Sequence, residues 1–176
     1  MGIKILIFGG RGSGKTTVTD MLIERLGDAK EVRLADYVKN ACEAFGVEPT
    51  RENLVWIGTD IGREQVSKRV WIDKGIEDVN KGEFLHYIIS DVRFDNEYEI
   101  FKDEGFFPVL IDVDLEKRID RVIKRDGFIN YELLEHESEQ NWKHFEPAYV
   151  LDNNGTMKEL EEKIDLLISI VNYWRG

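Results

Sequence analysis

Residues 4–16 read KILIFGGRGSGKT, and this stretch decides the fold because an apolar run passes directly into a glycine-rich segment. The run at Lys4–Phe8 predicts a buried strand of a parallel sheet. Residues 9–16 have the spacing G-x-x-x-x-G-K-[ST], and a helix is predicted to follow over Lys15–Leu26. Glycines allow several backbone N–H groups to point inward, and a helix N-terminus adds partial positive charge. The combination predicts a loop that binds the phosphates of a nucleoside triphosphate.

The side chains of this phosphate loop, residues 9–16, have distinct predicted roles. Lys15 is predicted to reach the β- and γ-phosphates, and the Thr16 hydroxyl is predicted to ligand Mg²⁺. Thr17 is a predicted neighbour of the α-phosphate. The predicted contacts with ATP in this region are Gly10, Arg11, Gly12, Ser13, Gly14, Lys15, Thr16 and Thr17.

Beyond the loop, apolar strands alternate with helices, and the chain has no repeat, low-complexity tract or linker. Further strands are predicted at residues 31–34, 85–90, 107–113 and 148–151. Further helices are predicted at residues 37–45, 50–81 with interruptions at Gly58, Gly62 and Gly75, 96–104, and from Asp114 as cap to Arg125. The alternation predicts an α/β protein with the P-loop NTPase fold, in which helices flank a parallel five-stranded sheet. Ligands are then expected at the carboxyl ends of the strands.

The final helix has a clear start signal and a core-facing stripe. Thr156 and Glu159 form the capping-box pattern. Apolar residues then recur every three or four positions, which predicts core packing of Met157, Leu160, Ile164, Leu167, Val171 and Trp174.

Composition narrows the possible partners. The formal net charge is −11, which disfavours binding to nucleic-acid polymers and requires cations to be concentrated locally if the ligand is an anionic nucleotide. No apolar run approaches the roughly 20 residues that span a bilayer, so no membrane partner is expected. Nothing predicts targeting out of the cytoplasm. The single cysteine, Cys42, predicts packing rather than chemistry.

A carboxylate and a guanidinium follow the predicted strand at residues 85–90. Asp91 stands at the strand end, where a phosphate-loop protein orients Mg²⁺ or its water shell. Arg93 comes two residues later, and its fork of donors suits a phosphate. The alternative is that Asp91 caps a helix and Arg93 lies on the surface.

The helix after Asp114 carries the densest cationic surface of this acidic chain. Arg118, Arg121 and Arg125 are spaced to share one helical face. Such a face is often solvated and paired with nearby acids. At the ligand-binding edge of the sheet, these arginines would neutralise charge on a transferring phosphoryl group.

These features together resemble the nucleoside monophosphate kinase superfamily, and residues 120–125 resemble the D-R-x-x-x-R start of the adenylate kinase lid. More specifically, the chain resembles the bacteriophage-type deoxynucleoside monophosphate kinases over nearly its whole length. The segments that carry this resemblance are residues 35–39, 57–63, 70–72, 90–97, 136–139 and 153–156. The string Asp-Val-Arg-Phe-x-Asn-Glu at residues 91–97 is the most specific. This chain has Asp95 and Tyr37 where that family commonly has Pro.

The resemblance implies transfer of the γ-phosphoryl group of ATP, with Mg²⁺, to a (deoxy)nucleoside 5′-monophosphate. It also implies one kinase domain over residues 1–176, with an acceptor-binding insertion at about 36–81 and a lid at about 115–140 that closes over the site, and it makes a homodimer plausible. By resemblance, Lys15 and Thr16 serve ATP and Mg²⁺, and Asp91 orients the metal. Arg121 would lie near the adenine or phosphates of ATP, and Arg125 would meet the transferring group.

The acceptor and adenine contacts also follow from the resemblance. Arg93 and Arg63 would hold the acceptor phosphate, Asp36 and Lys39 the acceptor sugar or phosphate, and Asp60 and Trp71 the acceptor base. Asn154 and Gly155 would contact the adenine. Structural alternatives stand beside these roles: a helix cap for Asp36, core packing for Trp71, and a plain turn for Asn154 and Gly155. Residues 136–139 are assigned a functional role by resemblance alone.

Three other functions remain open at this point. One is a small-molecule kinase with the same core, of the dephospho-coenzyme A or phosphomevalonate type. Another is a nucleotide-dependent switch, although the Asn80-Lys81-Gly82-Glu83 segment precedes its strand and ends in Glu rather than Asp. A third is a motor or DNA-linked ATPase, which the acidic composition disfavours.

Overall fold

The computed structural model describes residues 2–130 and 140–174 and contains a five-stranded, all-parallel sheet. Its strands are β1 (Lys4–Phe8), β2 (Ala29–Glu31), β3 (His86–Ile89), β4 (Phe107–Asp112) and β5 (Tyr149–Asp152). The strand order is β2-β3-β1-β4-β5, so β1 is central and pairs with both β3 and β4. The carboxyl ends of β1 and β3, which precede the phosphate loop and Asp91, are therefore neighbours at one edge. The predicted α/β fold with a parallel five-stranded sheet is confirmed.

Alternate residues of β1 face two apolar layers, which explains why this strand reads as an unbroken apolar run. Ile5 and Ile7 are buried in one core cluster with residues of two helices, α1 (Lys15–Leu26) and α7 (Met157–Trp174). Phe8 packs edge-on against Tyr98 of the helix α5 (Asp95–Asp103), with 5.7 Å between ring centroids. Helices on both faces thus hold the central strand, and with it the start of the phosphate loop.

The chain divides into two compact units, one formed by Met1–Glu31 with Leu85–Gly176 and the other by Val32–Phe84. The first unit carries the sheet, α1, α5, α6 (Leu115–Asp126), α7 and a short 3-10 helix at Asn141–His144. The second unit is helical and contains α2 (Leu34–Ala44), α3 (Arg51–Val55), a π-helical segment (Trp56–Val66) and α4 (Val70–Lys81). The assignment of one kinase domain with an acceptor insertion and a lid stays a prediction.

Several predicted element positions are wrong. The strand predicted at residues 31–34 lies earlier, at Ala29–Glu31, and α2 already begins at Leu34. Val32 and Leu34 alternate with polar residues and are buried, so they imitate a strand, but the chain turns there through a hydrogen bond from the Asp36 N–H to the Arg33 carbonyl. Gly75 does not interrupt α4 but is buried within it. The helical segment instead breaks at Ser67, whose backbone is extended.

The predicted caps of α6 and α7 are both at the expected positions, but they differ in their hydrogen bonds. Asp114 is the N-cap residue of α6, and its side chain accepts no capping hydrogen bond. The capping box of Thr156 and Glu159 is present, since each side chain accepts a hydrogen bond from the backbone N–H of the other residue. The predicted stripe is buried at Leu160, Ile164, Leu167 and Val171, whereas Met157 is 57% exposed and Trp174 packs on Phe107 at the edge of the core. Among the described residues, no helix is long and apolar enough to cross a membrane.

Candidate functional site

The phosphate loop leaves β1 and enters α1 with a backbone that requires glycine at several positions. Gly9, Gly12 and Gly14 have φ values of 145°, 82° and 93°, and L side chains rarely adopt such values. Gly14 is also the N-cap of α1, so the first N–H groups of that helix adjoin the loop. Backbone N–H groups at a helix N-terminus form a ready site for an anion.

The helix α6 lies close to Gly10 and Gly12, and it explains the need for glycine at position 12, where an added Cβ atom would meet backbone. A Cβ atom added at Gly10 would lie 1.4 Å from the Arg118 guanidinium Nη1, and one added at Gly12 would lie 2.5 Å from the Arg118 carbonyl oxygen. The Arg118 guanidinium also lies over the Trp142 ring, 5.7 Å from its centroid. The start of the predicted lid helix is therefore packed directly on the phosphate loop.

The Lys15 ammonium folds back over the loop that precedes it. Its Nζ donates to the Gly9 carbonyl at 2.7 Å and to the Gly10 carbonyl at 3.3 Å. This arrangement keeps a positive charge beside the loop backbone. The loop, the helix N-terminus and Lys15 together make a cationic donor set that fits a polyphosphate chain.

Two residues bind the Ser13 carbonyl of the loop, and only one of them, Arg121, was a predicted site residue. The Asn153 side chain is buried and donates from Nδ2 to the Ser13 carbonyl at 2.8 Å. Arg121 donates to the same carbonyl at 3.5 Å from Nη1 and to the Asn153 carbonyl at 2.9 Å from Nη2. The repeated Asn at residues 153–154 was the available sequence signal, but the adenine contact was predicted for Asn154 rather than a loop contact for Asn153.

The loop after β3 is held by a buried carboxylate. The Glu97 side chain is 2% exposed and accepts hydrogen bonds from the backbone N–H groups of Arg93 and Phe94, at 2.8 and 3.2 Å. Asn141 donates from Nδ2 to the Arg93 carbonyl at 3.0 Å. Glu97 is the last residue of the string at 91–97, so the structure gives that string a physical reason: its final acid binds the backbone at Arg93 and Phe94.

Glu31 and Ser90 join the two neighbouring strand ends beside Asp91. Ser90 follows β3 and its hydroxyl donates to the carboxylate of Glu31, the last residue of β2. The residue adjacent to Asp91 is thereby tied to the next strand of the sheet. Neither Glu31 nor Ser90 was a predicted site residue, and nothing in the local sequence pattern marks the pair.

The three arginines of α6 have three different surroundings. Arg118 lies over Gly10 and Trp142, and Arg121 binds the Ser13 and Asn153 carbonyls.

Arg125 makes a two-point ion pair with Asp126, at 2.6 and 2.8 Å. Arg11 of the loop also binds Asp126, at 2.9 Å, and the hydrogen bonds from Arg125 and Arg11 hold the pKa of the Asp126 carboxyl well below its ordinary value.

Asn154 and Gly155 form a tightly bonded turn after β5. Asn154 accepts at Oδ1 from the Asp114 N–H at 2.9 Å and donates from Nδ2 to Asp152 at 2.7 Å. A Cβ atom at Gly155 would lie 2.2 Å from the Glu159 carboxylate. Lys163 and Asn154 hold the pKa of the Asp152 carboxyl below its ordinary value. The predicted contact of this turn with adenine stays a prediction.

Apart from Arg93, the predicted acceptor residues lie in the helical unit, Val32–Phe84. Asp36 pairs with Lys39 at 3.0 Å, and Arg63 donates to the Gly58 carbonyl at 3.0 Å.

The Trp71 ring is 9% exposed, and its Nε1 donates to the Gly58 carbonyl at 2.8 Å. A Cβ atom at Gly62 would lie 2.6 Å from the Trp71 ring. Asp60 is exposed on the π-helical segment, a rare conformation that is frequent at functional sites.

Comparison with a curated protein identifies the family. The chain is 30% identical to a protein of Acanthamoeba polyphaga mimivirus that is provisionally named a deoxynucleotide monophosphate kinase. The match covers 62% of this chain and 74% of the mimivirus protein. This chain belongs to the deoxynucleotide monophosphate kinase family. No protein-family model matches it.

Solved structures show the same fold for this family member. TT1252 from Thermus thermophilus matches with a TM-score of 0.64 and 22% identity, over 96% of this chain and 97% of that one. Shikimate kinase from Bacteroides thetaiotaomicron matches with a TM-score of 0.63 and 14% identity, over 97% and 98%. A gluconokinase from Sinorhizobium meliloti 1021 matches with a TM-score of 0.59 and 14% identity, over 99% and 98%. The chain therefore has the P-loop kinase fold, and its family and fold make it a kinase of a small-molecule substrate.

The predicted magnesium ligands of this kinase are consistent with the usual chemistry of that ion. Thr16 is exposed in the first turn of α1, and Asp91 follows β3, the strand paired with β1. Mg²⁺ commonly keeps several waters and takes one or two protein ligands, so a hydroxyl and a carboxylate fit it as ligands. Residues 136–139, for which a role was predicted by resemblance, lie outside the described residues.

Proposed function

We propose that this protein transfers the γ-phosphoryl group of ATP to a deoxynucleoside 5′-monophosphate and forms the diphosphate. The observation that carries the proposal is that two candidate binding loops follow neighbouring parallel strands and so begin at the same edge of the sheet. The phosphate loop follows β1, and the loop with Asp91 and Arg93 follows the adjacent strand β3. The name of the mimivirus relative supports the choice of a deoxynucleotide as acceptor.

The proposed donor half is the phosphate loop with its supporting residues. The N–H groups of the loop and of α1 bind the phosphate oxygens, and Lys15 neutralises charge at the β- and γ-phosphates. Thr16 and Asp91 hold Mg²⁺ directly or through water. The bound ion supplies positive charge that offsets the charge developing during transfer.

The proposed acceptor half begins at Arg93. Its guanidinium binds the acceptor phosphate, while Glu97 and Asn141 hold its backbone in place. Arg63, Asp36, Lys39, Asp60 and Trp71 are proposed to complete acceptor recognition, as the family resemblance implies. An acceptor phosphate is already ionised, so these residues position and neutralise it rather than remove a proton.

The arginines of α6 are proposed to serve the transferring group and the ATP phosphates. Arg121 is already bound to the loop, whereas Arg125 must exchange its Asp126 partner for phosphate before it can act. Such an exchange would accompany closure of the predicted lid, which excludes water from the reaction.

A panel of nucleoside and deoxynucleoside monophosphates, each tested with Mg-ATP, checks this proposal. We expect ADP release to depend on the acceptor, and at least one deoxynucleoside monophosphate to give a clear rate above ATP alone. Phosphorylation of shikimate or gluconate but of no nucleotide would overturn the proposed acceptor class. Slow ATP hydrolysis that no acceptor accelerates would favour a switch protein instead.

A further inference from the structure

We propose that Asn153 is a positioning residue that fixes the orientation of the Ser13–Gly14 peptide in the phosphate loop. The inference rests on the proposed function, because it concerns how this loop presents N–H groups to ATP. Asn153 has no predicted role in the sequence analysis. Its position and contacts in the structure suggest one.

The peptide in question has little steric restraint of its own. Gly14 adopts φ 93° and ψ 22°, a left-handed conformation that glycine enters and leaves without a Cβ penalty. Rotation of the peptide plane would exchange the directions of the Ser13 carbonyl and the Gly14 N–H. A loop that binds anions needs its N–H groups inward, and an inward carbonyl would repel a phosphate. Something outside the loop must therefore select the orientation.

Asn153 supplies that selection through a donor on the outer side. Its Nδ2 lies 2.8 Å from the Ser13 carbonyl oxygen, and both residues are buried. Because a trans peptide places its C=O and N–H on opposite sides, this bond directs the Gly14 N–H away from Asn153. A buried carbonyl also needs a partner, so rotation would cost the bond without a replacement from water.

Asn153 is itself held on the sheet, which makes it a rigid support. Its backbone N–H donates to the Asp112 carbonyl at 2.9 Å, just beyond the paired strands β4 and β5. Its own carbonyl accepts from Arg121 at 2.9 Å, and Arg121 also reaches the Ser13 carbonyl at 3.5 Å. The packing is close, since a Cβ atom at Gly14 would lie 2.6 Å from Asn153 Nδ2. A longer or rotated side chain at 153 would not reproduce this contact.

The choice of an amide over a carboxylate is part of the inference. An aspartate at 153 would have nearly the same shape but would place acceptor oxygens against the Ser13 carbonyl. The peptide would then be held by Arg121 alone or would rotate. Asn153→Asp is thus a near-isosteric change that reverses the polarity of the contact, and Asn153→Ala removes it.

Calorimetric titration with Mg-ATP tests the inference without reference to the acceptor. We expect Asn153→Asp to raise the Kd for Mg-ATP at least tenfold and Asn153→Ala to raise it several-fold. The exposed Asn172 in α7 provides a matched control, and Asn172→Ala should keep the wild-type Kd. In Asn153→Ala, the KM for the nucleoside monophosphate should stay within twofold of wild type, because the contact is confined to the donor loop.

Amide NMR of the wild-type protein gives a second readout that does not depend on the stability of a variant. Addition of Mg-ATP should move the Gly14 N–H resonance strongly downfield, and one Asn153 side-chain proton should exchange slowly with solvent. In a folded Asn153 variant, the Gly14 shift should be reduced. A solvent-averaged Asn153 amide in the wild type would overturn the inference even if both variants failed to fold.

The outcomes separate this inference from the proposed function. A wild-type protein that does not bind Mg-ATP would overturn both. Tight wild-type binding with unchanged Kd in both variants would overturn the role of Asn153 and leave the kinase proposal intact. A parallel loss of affinity for ATP and for the acceptor would reduce Asn153 to a general structural role and would also overturn the inference.

Discussion

The phosphate loop and the predicted acceptor residues of Val32–Phe84 are held by contacts of different range. The Ser13 carbonyl of the loop is bound by Arg121 and Asn153, which are 108 and 140 positions away in the chain. In the helical unit, Asp36 binds Lys39 three positions on, and Arg63 and Trp71 bind Gly58 from five and thirteen positions away.

This difference has a physical consequence for the two regions. A loop fixed by distant elements keeps its shape only if the whole sheet is folded, and its geometry is then determined by the core. Local contacts can rearrange within one helical unit without disturbing that core. We therefore expect changes in the phosphate loop to affect catalysis severely, and changes in the helical unit to affect acceptor choice more gradually.

The largest expected effect is that of Lys15→Ala. Loss of a preorganised cation at the phosphates typically costs about 3 kcal/mol or more, so kcat/KM should fall about 100-fold or more. Steady-state ADP release measures the effect, and the exposed Lys158 provides a control in Lys158→Ala. Near-normal phosphoryl transfer by the Lys15 variant would remove the loop from the mechanism.

Arg93→Ala should act on the acceptor and not on the donor. Hydrogen bonds to charged groups contribute about 1.5–3 kcal/mol, so the acceptor KM should rise about tenfold or more while the KM for ATP stays within twofold. Arg25→Ala, which removes a surface ion pair with Asp165, is the matched control. An unchanged acceptor KM would exclude Arg93 from the acceptor site.

Glu97→Ala tests whether the Glu97 carboxylate stabilises the loop after β3. The variant removes a buried carboxylate that accepts hydrogen bonds from two backbone N–H groups, which should lower the free energy of unfolding by about 1–3 kcal/mol. Urea unfolding measures this, and Glu99→Ala on the exposed side of α5 should be nearly neutral. Because the same bonds hold Arg93, the acceptor KM should also rise. Equal stability of the two variants would contradict the proposed restraint.

Asp126→Asn should have the smallest effect, and that effect should depend on pH. The folded-state pKa of the Asp126 carboxyl is lowered by Arg125 and Arg11, so its stabilisation is present above the unfolded-state pKa, about 3.9. It is lost as pH falls below that value toward the folded-state pKa. The difference in Tm between wild type and variant should therefore be small at pH 7 and shrink toward pH 3. A difference that grew on acidification would contradict the sign of this linkage.

Local sequence patterns were sufficient to predict those elements whose conformation depends on neighbouring residues. The strand Lys4–Phe8, the helix Lys15–Leu26 and the loop between them were predicted correctly, because apolar periodicity and glycine spacing are both short-range signals. The same signals failed at Val32 and Leu34, where burial of alternate residues occurs on a turn into α2 rather than on a strand. They also predicted core packing for Met157, whose side chain is exposed at the start of α7.

The sequence by itself determined the order of strands and helices in outline, the position of the phosphate loop, and the pairing of Asp91 with Arg93 at a strand end. Only the tertiary structure decided which side chains support them: Asn153 on the Ser13 carbonyl, Glu97 on the Arg93 backbone, and Asp126 on Arg11 and Arg125. The reason is geometric. Spacing along the chain indicates which backbone conformations are needed, but the donors that stabilise them come from elements brought together by the sheet.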